Sequence, residues 1–201
     1  MHIVCLDLEG VLVPEIWIGV AQKTGIEQLR LTTRDVPDYD QLMQYRIEIL
    51  RNHQLTLGDI QDVISTLQPL SGALEFLDWL RNRTQVIILS DTFSEFAHPL
   101  MKALHWPTLF CNSLVVDDRN AITSYRLRQQ DGKYKAVIAL QSIGFSVLAG
   151  GDSYNDLAMI KQADRGVLFR APDRILAENP QLDHTTTYEE FKLIIDEFVS
   201  N

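Results

Sequence analysis

The stretch Ile3-Val4-Cys5-Leu6-Asp7-Leu8-Glu9-Gly10-Val11-Leu12-Val13 decides how the chain is read. A short apolar run that ends at a turn residue predicts a core strand. Here the run ends in two carboxylates two residues apart, and in an extended segment these share a side. Carboxyl groups at the end of a buried strand are costly unless something compensates them. In open α/β sheets, ligands bind in the crevice outside the carboxyl ends of the strands. Asp7 and Glu9 are therefore candidate site residues.

Working outward, the same pattern recurs. Gln85-Val86-Ile87-Ile88-Leu89 leads into Ser90-Asp91-Thr92, and Ser146-Val147-Leu148-Ala149-Gly150 leads into Gly151-Asp152-Ser153-Tyr154-Asn155-Asp156. A further strand is predicted over Gly166–Phe169, and short β-like runs at 108–110, 113–116 and 122–127 flank a hairpin loop at Asp117–Asn120. Helical periodicity marks 73–80, 94–104, Lys133–Ile143, Leu157–Ala163 and the tail Tyr188–Phe198. Strands alternating with helices predict right-handed βαβ units: an α/β fold of three layers, doubly wound around a mainly parallel sheet.

The first βαβ unit is interrupted. After Pro14, Ile16, Trp17, Val20 and Ala21 fall on one helix face that Gly25 ends. The polar turn stretch Thr32–Asp38 follows, with Pro37 placed to start a second helix that runs to about Asn52. Thr56 and Asp59 form a capping box for a third. Residues 14–68 thus read as a small all-helical insert, placed to cap an α/β core formed by 1–13 and 69–201.

The 201 residues are 46% hydrophobic and 22% charged, ordinary for one globular domain with a small insertion. A formal net charge of −9 argues against nucleic acid or an anionic membrane as the main partner. No window reaches the roughly 18 apolar residues of a membrane span. No basic-then-apolar signal opens the chain, so a cytoplasmic protein is expected, monomer or homodimer. Cys5 and Cys111 are expected to be buried thiols. His53, His98, His105 and His184 lack the spacing of a zinc site. Asp117-Asp118 and Glu189-Glu190 are expected to be solvated charges.

In a parallel sheet the three polar clusters converge on one edge. Asp7 and Asp152 can offer hard oxygen ligands to Mg²⁺. One carboxylate can take a phosphoryl group, and a second can move a proton. The Ser90 hydroxyl and the following N–H groups can hold phosphate oxygens. A lysine can neutralise the transferring group, and Gly10 and Gly151 can let the backbone approach an anion.

These phrases, Asp7-Leu8-Glu9-Gly10-Val11, Leu89-Ser90-Asp91-Thr92, a lysine within 133–135 and Gly151–Asp156, come in order over about 150 residues and resemble the haloacid dehalogenase-like superfamily. The resemblance implies Asp7 as nucleophile, Asp152 as a ligand of Mg²⁺ together with the Glu9 carbonyl, and Asp156 in support. Where the usual pattern has a second Asp, this chain has Glu9, which implies a proton-shuttling Glu. The Asp-x-Glu-Gly phrase resembles both the enolase-phosphatases and the phosphoserine phosphatase-like group that also transfers phosphate to homoserine. The length, Val13–Trp17, Asp38-Tyr39-Asp40 and Ser90–Phe93 resemble the latter group. The resemblance, with the position of the cap, implies Glu15 for the substrate amine and Arg46 for its carboxylate, with Arg51 the competitor. A helix lets only one of Lys133 and Lys135 face the site, and the closer group implies Lys133. Ser90, Asp91, Lys133 and Asn155 are expected to bind substrate. The expected partners are phosphoserine and, as acceptor, homoserine. The rival readings are a phosphatase for another small phosphomonoester and a non-catalytic phosphate-binding module. Trp17 is expected in the core, with the cap's inner face as the alternative.

Overall fold

The computed structural model describes residues 1–32, 35–36 and 38–200. Pro37, the expected helix start, and Thr33 and Arg34 of the turn stretch lie outside the described residues. Among the described residues, seven strands form one sheet in the order β4-β3-β2-β1-β5-β6-β7: β1 His2–Leu6, β2 Gln85–Phe93, β3 Leu109–Val116, β4 Ile122–Arg126, β5 Ser146–Gly151, β6 Arg165–Phe169 and β7 Asp183–Thr185. Only the edge pair β3–β4 is antiparallel. β1 is central, flanked in parallel by β2 and β5.

Side chains that alternate along β1 explain the layers. Val4 and Leu6 join one buried cluster, with Phe76 and Leu77 of α4 (Ala73–Arg81), Phe96 of α5 (Ser94–Ala103) and Phe191 of α9 (Tyr188–Ser200). Ile3 and Cys5 join the other, with Val137 of α6 (Gly132–Ser142), Ile160 of α7 (Leu157–Gln162) and Ile175 of α8 (Asp173–Glu178). A strand buried on both faces is apolar throughout, which is why 3–6 reads as a continuous run.

Between β1 and α4 the chain runs through α1 (Ile16–Thr24), a 3-10 turn (Glu27–Arg30), α2 (Tyr39–Asn52) and α3 (Leu57–Ser65). Gly25 ends α1 in a left-handed conformation, and Thr56 with Asp59 forms the expected capping box. The two connections to this helical segment lie side by side, because the Leu70 N–H donates to the Leu12 carbonyl at 2.9 Å. Pro99 lies inside α5. A helical proline cannot donate to the carbonyl four residues back. That carbonyl, of Glu95, instead accepts from Gln61 Nε2 of α3 at 2.8 Å. The helical segment is thereby fastened to the core at a bond the proline leaves free.

Several expectations change in detail. The strand expected to end at Leu89 continues as β2 to Phe93 through a register shift, and the two short runs at 108–116 merge into β3. The sequence pattern gives no element between 170 and 187, where α8 and β7 occur. Both are only six and three residues long, too short for a periodic signal. Cys5 is buried as expected, but Cys111 is only partly so, on the edge-side strand β3. No described helix is long and apolar enough to cross a membrane.

Candidate active site

The three polar strand ends converge, and one lysine touches them all. Lys133, on the first turn of α6, is 6% exposed. Its Nζ lies 2.8 Å from Asp7 Oδ1, 2.7 Å from Asp156 Oδ1 and 3.7 Å from Asp91 Oδ2. Lys135 is exposed on the other side of the helix. Burial alone would lower the Lys133 ammonium, but Asp156, Asp7 and Asp91 outweigh it, so the ammonium is held well above its ordinary value.

Asp156 is the hub of the β5 turn. It is fully buried. Its Oδ2 accepts from the backbone N–H groups of Asp152 (3.0 Å) and Ser153 (3.1 Å) and from the Ser153 hydroxyl (3.0 Å). Ser153 also bonds Asn155, whose Nδ2 donates to Asp91 Oδ2 at 3.1 Å. Gly10 and Gly151 were expected to make room for a bound anion. The space that a side chain would fill at each is taken by a protein carboxylate. A Cβ at Gly10 (φ +76°) would strike the Asp152 carboxylate, and one at Gly151 would strike Asp156.

The carboxylates of Asp7, Asp152 and Asp156 are buried and each offers an oxygen within 4.8 Å of the others. Asp7 and Asp156 share the one Lys133 ammonium. Burial and the neighbouring Asp156 push the Asp7 carboxyl well above the usual range, against the pull of Lys133. A group held up in this way is a poor nucleophile until more positive charge arrives. Hard oxygen donors gathered this closely fit a small divalent cation.

Glu9 does something the sequence did not announce. Its Oε2 accepts from the Ile16 N–H at 2.8 Å, capping α1 where Glu15, the N-cap residue, provides no side-chain bond. The longer side chain of Glu is what reaches a helix end seven residues on. Burial first, then the nearby Glu15, raise the Glu9 carboxyl to about 7, against the Ile16 bond, Arg46 and Lys133.

Opposite the strand ends, a cavity of about 400 Å³ opens toward α1 and α2, lined among others by Asp7, Glu9, Glu15, Trp17, Arg46, Ser90 and Asp152. Arg46 is 7% exposed, whereas Arg51 faces solvent. The Arg46 guanidinium lies 4.6 Å from the centre of the Trp17 ring and donates from Nη2 to the Leu31 carbonyl at 2.8 Å. Its Nε is buried without a hydrogen-bond acceptor among the described residues, and burial lowers the guanidinium to about 10. Trp17 is both core and cavity wall, so the two expectations for it are compatible. Ser90 is buried, its Oγ accepting from the Thr92 N–H at 3.2 Å. Asn155 is exposed at the rim. Among the lining residues that the sequence did not mark as site residues are Tyr39, Ser153 and Arg170. Tyr39 and Ser153 sat inside phrases already singled out. Arg170 had only its place at the end of β6 to mark it.

The haloacid dehalogenase-like hydrolase family matches residues 1–164 of the chain. The chain belongs to that family. Among its relatives, this haloacid dehalogenase-like protein is 57% identical over 192 residues to phosphoserine phosphatase ThrH of Pseudomonas aeruginosa, covering 96% of this chain and 94% of that one. It is equally similar to a phosphoserine phosphatase of Pseudomonas syringae pv. tomato, covering 96% of this chain and 81% of the relative. The fold is also that of solved phosphoserine phosphatases. An apo structure superposes with a TM-score of 0.74 at 22% identity over 91% of this chain and 92% of that one. A substrate-bound complex gives 0.72 at 20% identity over 92% and 93%.

Proposed function

We propose that the protein is a Mg²⁺-dependent phosphoserine phosphatase that works through an aspartyl-phosphate on Asp7. The observation that carries this reading is the contact of one buried lysine with carboxylates from all three strand ends, the nucleophile among them. The identity to two relatives named phosphoserine phosphatase supports the choice of substrate. Asp7, Asp152 and the Glu9 carbonyl would hold Mg²⁺, with Asp156 in support. The ion would neutralise charge on the transferring phosphoryl group.

The residues themselves divide the work. Asp7 attacks phosphorus while Lys133 offsets charge on both partners. The Ser90 hydroxyl and the N–H groups that follow it receive phosphate oxygens. Glu9, protonated up to about pH 7, gives its proton to the departing serine oxygen and then takes one from the incoming nucleophile. Residues 14–68 act as a cap on the core of 1–13 and 69–201. Arg46 receives the substrate carboxylate with its unpartnered Nε–H, and Glu15 meets the amine. Asp91 and Asn155, bonded to each other, close the rim over the substrate. Homoserine is the second acceptor: after serine leaves, an alcohol of similar length occupies the same groups and takes the phosphoryl group in place of water.

Phosphate release from O-phospho-L-serine against a panel of phosphomonoesters, with and without Mg²⁺, tests the phosphatase. Equal turnover across the panel overturns the substrate assignment. Phosphohomoserine formed at saturating homoserine tests the transferase half, and its absence removes that half alone.

A further inference from the structure

A second, larger cavity of about 540 Å³ lies against the first. It is lined on its outer side by Leu127, Gln130 and Tyr134, of which Leu127 is 45% exposed. The two cavities share four residues, Tyr39, Asp91, Lys133 and Asn155. Lys133 is buried at the back, held by Asp7 and Asp156 and lying 3.7 Å from Asp91 Oδ2, and the other three residues form the partition in front of it. Two hydrogen bonds hold it shut. Asn155 Nδ2 donates to Asp91 Oδ2 at 3.1 Å, and the Tyr39 hydroxyl donates to the Asp91 carbonyl at 3.0 Å. The same carbonyl also accepts from Asn112 Nδ2 at 3.1 Å, which anchors that end of the wall to β3. Tyr39 alone comes from the helical segment. Its ring is braced edge-on by Tyr125, with centroids 5.7 Å apart, and the Tyr125 hydroxyl bonds Asp40 at 2.6 Å.

We propose that Tyr39 sets how the phosphoenzyme divides between water and an alcohol, by closing a side passage between the catalytic cavity and this neighbouring groove. The inference rests on the aspartyl-phosphate reading above. In hydrolysis a water oxygen bonds to phosphorus, the bond from phosphorus to the Asp7 oxygen breaks, and a water proton goes to the Glu9 carboxylate. In transfer the hydroxyl of an alcohol does the same and becomes a phosphate ester. Both nucleophiles approach opposite Asp7, from the space serine has left. An alcohol bound by Arg46 and Glu15 fills that space. Water has to reach it, and the groove is a source of water beside the wall. Removing the hydroxyl of Tyr39 removes the bond that ties the cap to the wall, while the ring and its contact with Tyr125 stay.

The test uses the full chain with Mg²⁺, phosphoserine and saturating isotopically labelled serine, and follows two products in one reaction. Labelled phosphoserine reports return of the phosphoryl group to an alcohol, and inorganic phosphate reports water. Tyr39→Phe lowers the ratio of the first to the second by about two- to tenfold, the weight of one net hydrogen bond. An unchanged ratio overturns the proposal, whatever happens to total turnover, because a merely structural tyrosine changes rate and stability without redirecting one intermediate. Tyr125→Phe breaks the Asp40 bond and leaves the Tyr39 hydroxyl in place. A ratio close to wild type in that variant supports the proposal, and an equal shift in both variants overturns it in favour of general loosening of α2. Wild-type phosphate release measures the underlying phosphatase separately: its absence overturns that reading, whereas release with an unmoved ratio overturns only the role of Tyr39.

Discussion

At the strand ends, Lys133 is bound by carboxylates from three separate segments. Across the cavity, among the described residues, Arg46 has one backbone acceptor, one sulfur at 3.8 Å, an aromatic face and a buried Nε with no acceptor. The first region has more negative charge than it can balance alone. The second has a donor left over. An excess of carboxylate suits a cation and a reaction that moves charge, whereas a spare donor on an otherwise apolar wall suits recognition of an anionic group. On the proposed function, chemistry and selection thus fall to different parts of the chain, which face each other across the cavity.

The contrast makes ordered predictions. Asp7→Asn strikes the chemistry and is expected to cut turnover by on the order of 10³-fold or more. It should still fold, since a neutral amide relieves the repulsion with Asp156. Steady-state kinetics and a thermal melt check both parts, and retained turnover would move the nucleophile elsewhere. Lys133→Met leaves Asp7 and Asp156 buried without a counter-charge. The expected cost is about 3–5 kcal/mol in metal-free denaturant unfolding, together with loss of turnover. An unchanged midpoint would mean that the network is not electrostatically tight. Arg46→Ala strikes selection and is expected to lower kcat/KM for phosphoserine by about 10- to 150-fold, the worth of a charged hydrogen bond. A change under about threefold would break the division between the two regions.

Glu9 bridges them, because it belongs to the strand end yet caps the first helix of the segment opposite. Its carboxyl is raised to about 7, so it holds its proton below that pH and loses it above. The pre-steady-state rate of serine release should therefore fall about tenfold per unit above pH 7. Glu9→Gln should flatten that limb. A limb that persists in the variant belongs to another group. The smallest effect is expected from Lys135→Ala, which faces solvent and should leave kinetics within about twofold of wild type.

The strand–helix alternation was legible because strands buried on both faces must be apolar at every position, as in Val147–Ala149. A helix turns about 100° per residue, so the pattern let only one of Lys133 and Lys135 face the strands, but it was the family resemblance and not the periodicity that pointed to Lys133. The links through Glu9, Gln61 and Tyr39 were not legible. Each joins segments that lie close only after folding, over separations of 7, 34 and 52 residues.

Local pattern alone determined the layer order, the capping of the third helix and the convergence of Asp7, Asp91, Asp152 and Asp156, because periodicity and parallel strand direction act without knowledge of distant contacts. Tertiary structure decided which carboxylate pairs with which cation, that two glycines make room for protein carboxylates, and that a tyrosine walls the cavity. Those depend on distances of a few ångströms between side chains, which charge and packing settle only once the chain is folded.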